Sequence, residues 1–316
     1  MMNKRNQREV YGRTLVELGR ENPDIVVLEA DLGKSTMSCY FEEAFPGRFF
    51  EMGIAEANMT SFAAGLALAG KIPFTNSFAV FAAGRAYDQI RQGICIPGLN
   101  VKIVGSSAGL SDYGDGSTHQ AVEDVAIMRA IPNMTVLVPA DGIETRALTR
   151  AMAAASGPVY MRLNREDLPD LFSGDRAFAI GQSVLVRDGH DVVVFACGLM
   201  VSKALEAAES CAARGVSVRV INVSTLKPVD ETALRAFAAG MKAIVTAEEH
   251  SLIGGLGSLI ADVFRGAGIP MMCVGIADRF GQSARSYDEL LNAYGLTTSR
   301  IQAAVLTLSG GPRRRD

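Results

Sequence analysis

RFFEMGIAEANMTSFAAGLALAG, residues 48–70, decides the fold. Phe49–Met52 reads as a strand, and a helix opens near Ala55 and runs on small apolar residues (Ala63, Ala64, Gly65, Ala67) to Ala69. The same alternation continues outward. Short valine- and isoleucine-rich runs at Ile25–Leu28, Val101–Gly105, Thr135–Val138 and Val159–Arg162 look buried on both faces. Helical patterns at 84–93, 122–130 and 143–155 separate them. Asp141 is placed to cap the last of these, with Glu144 completing a capping box. The rhythm implies parallel strands crossed over by helices, an open α/β sheet.

Residues Arg165 to Gly181 break the pattern with Pro169, Gly174 and several charges, and read as a linker. The alternation then restarts: strand 192–196, helix 201–214, strand 216–221, helix 230–238, strand 243–247, helix 257–265. The expectation is a first domain over 1–172, a second, smaller α/β domain over 173–309, and a flexible tail over 310–316. The basic run Arg313–Arg315 falls on that tail.

The chain has 316 residues, 48% apolar and 21% charged, enough for two domains with substantial cores. Its net charge of −3, from 31 basic and 34 acidic residues, argues against nucleic-acid or anionic-membrane binding. No apolar run is long enough to span a bilayer, and the first residues lack the apolar core of a signal peptide. Five cysteines with no CxxC pair read as buried free thiols, as expected in a cytoplasmic protein.

Three segments could carry chemistry. Glu56 opens the helix that follows Phe49–Met52. Phe78 and Phe81 lie in TNSFAVFAAGRAYDQ. The polar loop DYGDGSTHQ, residues 112–120, carries Asp115 and His119 where a strand gives way to a helix, the place where open α/β sheets bind ligands. Together they would suit the aminopyrimidine end of thiamine diphosphate. A carboxyl group on the pyrimidine N1′ lets the cofactor's own 4′-amino group remove the weakly acidic thiazolium C2 proton. An apolar pocket around Glu56 would favour the protonated carboxyl and let it share that proton. The phenylalanines would stack on the ring and exclude water, and Asp115 and His119 would bond substrate oxygens. Plainer readings stand beside these: an acidic residue favoured at a helix N-terminus, a core stripe at i, i+3, and an Asx-type turn. Arg162 and Arg165 could pair with a substrate phosphate, or with Glu166, Asp167 or Asp170 at the surface; Arg8 is a further phosphate candidate. Gly114-Asp115-Gly116 has no asparagine pair at the spacing a diphosphate-and-magnesium site needs, so no metal site is expected here. The sequence GGLG, residues 254–257, is a poor dinucleotide site.

In combination the segments LEADLGKS (28–35), RFFEMGIAEANM (48–59), FAVFAAGRAYDQ (78–89), DGSTHQAVED (115–124), RAIPNMTVLVPAD (129–141) and AEEHSLIGGLGSLIADV (247–263) resemble the C-terminal half of transketolase. The form resembled is the separate subunit of split bacterial transketolases. The resemblance implies a thiamine-diphosphate pyrimidine-binding domain followed by a transketolase C-terminal domain. It implies Glu56 as the N1′ partner, Phe78 and Phe81 as the aromatic wall, and Asp31 against the cofactor at the subunit interface. Asp115 and His119 would contact sugar hydroxyls, and Arg165 with Arg8 and Ser35 would receive the acceptor phosphate. The diphosphate and a Mg2+ or similar ion would be held by an N-terminal partner subunit carrying GDG, two such heterodimers associating. Ser107, in SSAG, departs from the family's usual SHAG, which puts substrate preference in question. Rival expectations are a 2-oxo acid dehydrogenase β subunit, a deoxyxylulose-phosphate synthase relative, a non-catalytic assembly or regulatory subunit, or a nucleotide-binding module.

Overall fold

Among the described residues fourteen strands order the chain, and the apolar runs read from sequence supply its interior ones except Ile72–Phe78. They are β1 (Lys4–Asn6), β2 (Ile25–Glu29), β3 (Phe49–Glu51), β4 (Ile72–Phe78), β5 (Lys102–Ser106), β6 (Thr135–Leu137), β7 (Val159–Arg162), β8 (Asp167–Pro169), β9 (Val184–Arg187), β10 (Val192–Ala196), β11 (Val218–Asn222), β12 (Thr225–Lys227), β13 (Ala243–Ser251) and β14 (Met271–Ile276). This is a computed structural model describing residues 3–174 and 178–310. All but Gly310 of the expected tail therefore lies outside the described residues.

The larger sheet has the order β12-β6-β7-β5-β4-β2-β3 and is parallel except at β12, which pairs antiparallel with β6. The second sheet, β14-β13-β10-β11-β9, is parallel except at β9. In β2, β5, β7 and β10 every residue is buried, as the lack of alternation required. Helices cover the sheets, and the strands expected from sequence end within two residues of the observed ones, except that β13 runs on to Ser251.

Beyond strands left unread at β4, β9 and β14, four features differ from expectation. Residues Gln7–Glu21 form a helix capped by Asn6, whose side chain accepts from Arg8 N. The helix buries Tyr11, Leu15 and Leu18 and packs on the helix Gly142–Ala154. Each such side chain contributes about 1.5–3 kcal/mol by leaving water. The expected helix over 84–93 is in fact a helix Ala79–Gly84, one turn at Tyr87–Gln89 and a π-helix Ile90–Cys95. The expected linker contains β8, which pairs with β1 in the register Lys4↔Pro169 to Asn6↔Asp167. The fourth difference is β12: it belongs by sequence to the second domain, yet it forms the outer strand of the first domain's sheet. Of the five cysteines, all free, Cys39 and Cys273 are only half-buried.

Candidate functional site

Because β2, β3, β4, β5 and β7 run parallel, their carboxyl ends lie along one edge of the sheet, and the candidate residues leave from that edge. Asp31 follows β2, Glu56 opens the helix after β3, and Phe78 ends β4. Ser107 follows β5, and Arg165 follows β7. Asp31 (φ 60°) and Ser107 (φ 52°) both occupy the left-handed region. For non-glycine residues this conformation costs about 1–3 kcal/mol and clusters at functional sites.

A continuous chain of contacts links these residues. Arg85 Nη1 donates to Glu56 Oε1 at 2.8 Å. The Arg85 guanidinium also lies over the Phe81 ring, 4.0 Å from its centroid. Phe81 and Phe78 are 6.0 Å apart and nearly parallel, at 17°. His119 meets both edge-on, at 5.3 Å from Phe81 and 6.2 Å from Phe78. Arg165 lies 5.8 Å from the Phe78 centroid, and its Nη1 reaches Ser107 Oγ (3.3 Å) and Asp112 Oδ2 (3.2 Å). Glu56 is 3% exposed, and no donor among the described residues reaches its second oxygen, Oε2. The apolar pocket expected around Glu56 is thus corrected in one respect: a half-exposed arginine pairs with the carboxylate.

Beside this chain, Arg8 donates to the carbonyls of Ser35 (2.7 Å) and Arg165 (2.8 Å), and its Nε to Asn6 Oδ1 (3.2 Å). Burial and the nearby Arg165 charge lower the Arg8 pKa. Arg8, Ser35 and Arg165 therefore do converge, though Arg8 is largely engaged by the protein itself. Asp31 is exposed, with its backbone N–H on Glu51 Oε1 at 2.9 Å. Asp115 is also exposed, next to Gly116 (φ 79°), where an added Cβ would collide with Ser283 Oγ. Among the described residues, no group of three His, Cys, Asp or Glu side chains could hold a metal ion.

Arg162 does not belong to this group, and both sequence readings of it are corrected. Its side chain is 6% exposed and faces the second domain. Nε lies 2.9 Å from Asp124 Oδ2, while Nη1 and Nη2 donate to the carbonyls of Glu249 and Ala121. A strand residue pointing between two packed domains cannot offer its donors to a substrate.

Three contributors escaped the sequence reading. Arg85 stands four residues after Phe81, a spacing that puts both on one helix face and could have flagged the pair. Asp112 is buried against Arg165; burial raises its pKa, and Arg165 opposes the rise. Glu29, at the end of β2, carries the Asp31 loop. Its carboxyl accepts from Ala30 N (3.0 Å), Thr36 Oγ1 (2.6 Å) and Ser38 Oγ (2.5 Å). Burial nevertheless pushes its pKa up to about 7.

Between pH 4.5 and 7 the folded state holds a proton on Glu29 that the unfolded state has lost, so stability falls as pH rises through this window. Glu29→Gln imitates the protonated group and removes this contribution. The mutant should gain on the wild type from pH 5 to 8 by up to about 3 kcal/mol. Urea titrations at each pH measure the gap; a constant gap would remove Glu29 as the source.

The larger grooves of the chain lie elsewhere. One of about 680 Å³ runs between the domains past Tyr113, Glu166, Lys203 and Tyr287, and another of about 610 Å³ lies beside Arg13, Glu17 and Tyr40. The convergent polar and aromatic groups instead sit along the strand ends.

The family model of the transketolase pyrimidine binding domain matches residues 3–170. The chain belongs to the transketolase family. The model of the transketolase C-terminal domain matches residues 181–301, so this family member holds the two domains in that order. A putative transketolase C-terminal section from Methanocaldococcus jannaschii is 42% identical over 306 residues, 96% of each chain. A 6-deoxy-6-sulfo-D-fructose transketolase subunit from a Clostridium species is 43% identical over 298 residues, 94% of this chain and 92% of that one. Among solved structures, a split gene transketolase in an inactive beta4 tetramer superposes with a TM-score of 0.87 at 49% identity, over 97% of this chain and 99% of that one. The transketolase-family chain thus matches, over nearly its whole length, proteins described as a transketolase C-terminal section and a split gene transketolase.

Proposed function

We propose that this chain is the pyrimidine-holding subunit of a thiamine-diphosphate-dependent transketolase. It transfers a two-carbon ketol unit from a ketose phosphate to an aldose or aldose phosphate. A separate N-terminal subunit completes the site, gripping the cofactor's diphosphate through a GDG motif and a Mg2+ or similar ion. The observation that carries this reading is the unbroken run Glu56–Arg85–Phe81–His119–Phe78–Arg165 along the strand ends.

The residues fit the pyrimidine end. Glu56 keeps Oε2 free to meet N1′, while Arg85 fixes the carboxylate through Oε1. Phe81 and Phe78 form a flat apolar wall. When bound, thiamine diphosphate supplies a nucleophilic carbon once its thiazolium C2 proton is removed. His119 and Asp115 bond sugar hydroxyls, and Arg165, framed by Arg8 and Ser35, receives a phosphate. Asp31 lies on the cofactor side of the subunit interface. Ser107 takes the place of the family's usual histidine and holds Arg165 instead. With the sulfo-sugar relative in view, this substitution supports an unusual phosphorylated or sulfonated sugar as substrate.

Exposed apolar residues lie on the helix Glu56–Leu68 and just before it: Phe62 at 42% and Leu68 at 75% on it, Ile54 at 71% before it. That apolar surface suits a subunit contact, and the inactive all-beta tetramer of a similar chain supports dependence on a partner. Two heterodimers then associate. Among the described residues no helix is long and apolar enough to cross a membrane, and we place the complex in the cytoplasm.

The test is to mix the chain with the partner subunit, thiamine diphosphate and Mg2+, and to compare donors. Xylulose 5-phosphate or its sulfonated counterpart should be cleaved and pyruvate should not. Turnover of pyruvate alone, or of ketose without the partner, would overturn the reading. Within that assay Arg165→Ala should raise KM for a phosphorylated acceptor by about ten- to a hundredfold, the scale of a lost charge-assisted hydrogen bond. KM for an unphosphorylated acceptor should hardly move. Equal effects on both acceptors would remove Arg165 from the phosphate.

A further inference from the structure

The polar loop after β5, residues 107–120, presents Asp112, Asp115 and His119, yet much of what fixes its backbone belongs to the second domain. Leu110 N donates to Glu249 Oε1 at 2.8 Å. Asn164 Nδ2 donates to Glu249 Oε2 at 3.1 Å and to the Tyr287 hydroxyl at 2.7 Å, so Leu110 and Asn164, which donate to this second-domain carboxylate, both come from the first domain, and Asn164 is tied back in turn to Tyr287 of the second. The Glu249 backbone carbonyl accepts from Arg162 Nη1 at 3.0 Å.

Farther along the loop, Gln120 Nε2 donates both to Asp112 O and to Gln282 O, each at 3.1 Å. Ala284 N donates to Tyr113 O at 2.9 Å. Glycines permit these close approaches. A Cβ on Gly109 (φ 65°) would collide with the Glu249 carboxylate, and one on Gly281 would collide with the Gln120 amide. Glu249 is 7% exposed and sits at the carboxyl end of β13, the strand next to β10 in the second sheet.

We propose that Glu249 is a positioning residue for the sugar site, acting from the second domain through Leu110 on the loop that carries Asp115 and His119. Asn164 and Tyr287 hold its carboxylate in register, and the segment 282–284 holds the far half of the same loop. The second domain thereby sets the geometry of substrate recognition without touching substrate. This rests on the proposed role of Asp115 and His119, so the test has two independent arms.

The first arm reads amide exchange across residues 107–120 in the isolated chain. Glu249→Ala should speed exchange there by about five- to tenfold, the effect of one lost buried hydrogen bond. Asn222→Ala serves as the control. It cuts a different buried contact between the domains, Asn222 Nδ2 to Glu144 at 2.9 Å, and should leave this loop unchanged. The second arm is kinetic, in the reconstituted complex. Glu249→Ala should raise KM for the ketose about tenfold or more, as for a small displacement of binding groups, with a lesser change in kcat. Glu249→Gln, which keeps an acceptor for Leu110 N but sets its amide NH2 against Asn164 Nδ2, should fall between wild type and Glu249→Ala in both arms. If Glu249→Ala does not fold, Tyr287→Phe is read in the same two arms and should shift both in the same direction. Unchanged exchange in these variants, or an equal rise in Asn222→Ala, overturns the positioning role. A wild-type complex that turns over no ketose sinks the transketolase reading instead, and the exchange arm still decides on Glu249.

Discussion

Glu56→Ala, placed in the assembled two-subunit enzyme, should lower turnover by about a hundred- to ten-thousandfold, the range that positioned proton transfer contributes. The expected loss is chemical, because the fold has little stake in this side chain. Its one described partner, Arg85, is 49% exposed and turns to water when the carboxylate goes. Such a pair contributes only about 0–1 kcal/mol, so the melting temperature should move by a few degrees at most. Glu56→Gln is the sharper variant. It keeps the shape and one oxygen but cannot exchange a proton with a ring nitrogen, and should fall by a similar factor. Steady-state rates beside thermal melts decide the matter. Wild-type turnover by either variant would leave the subunit without its catalytic carboxyl.

The second large effect is on folding. Arg162→Ala should cost about 3–5 kcal/mol, as removing one member of a buried ion pair does. Asp124 is 1% exposed, and its Oδ2 has two described partners, Arg162 Nε at 2.9 Å and the Tyr160 hydroxyl at 2.7 Å. Without the guanidinium, a carboxylate with no access to water keeps only the tyrosine, and two carbonyls lose a donor, Ala121 O keeping Gly109 N. Against a typical total of about 5–15 kcal/mol this is a large fraction. Urea unfolding measures it. A mutant as stable as wild type, with KM raised for phosphorylated acceptors, would return Arg162 to the substrate.

The contrast between the two arginines shows where sequence reading stops. Arg162 and Arg165 are three residues apart at one strand end and looked interchangeable. Their fates differ because Arg162 is the last residue of β7, facing the second domain, while Arg165 has turned onto the sheet's edge. That difference lies in tertiary packing, which no local pattern encodes. Interior strands such as IVVLE and VVVFA were legible because burial on both faces leaves an unbroken apolar run. IPFTNSF was not read as a strand: its proline, threonine, asparagine and serine hide β4, although Asn76 is satisfied there by Leu28 O and Tyr11. The helix Gln7–Glu21 did carry a signal, Tyr11, Leu15 and Leu18 at helical spacing with Asn6 before them, and was overlooked. The strands β1, β8 and β12 have three residues each and exist only through partners far away in the chain. At the site, residue types along the strand ends could be listed from sequence. The Arg85–Glu56 pair, 29 positions apart, could not.

The borrowed strand β12 bears on how this molecule can be divided. Excising residues 3–172 would remove Thr225–Lys227 from its place beside β6. The orphaned rim would then show a row of unanswered amides and carbonyls, a template on which identical fragments can stack into aggregates.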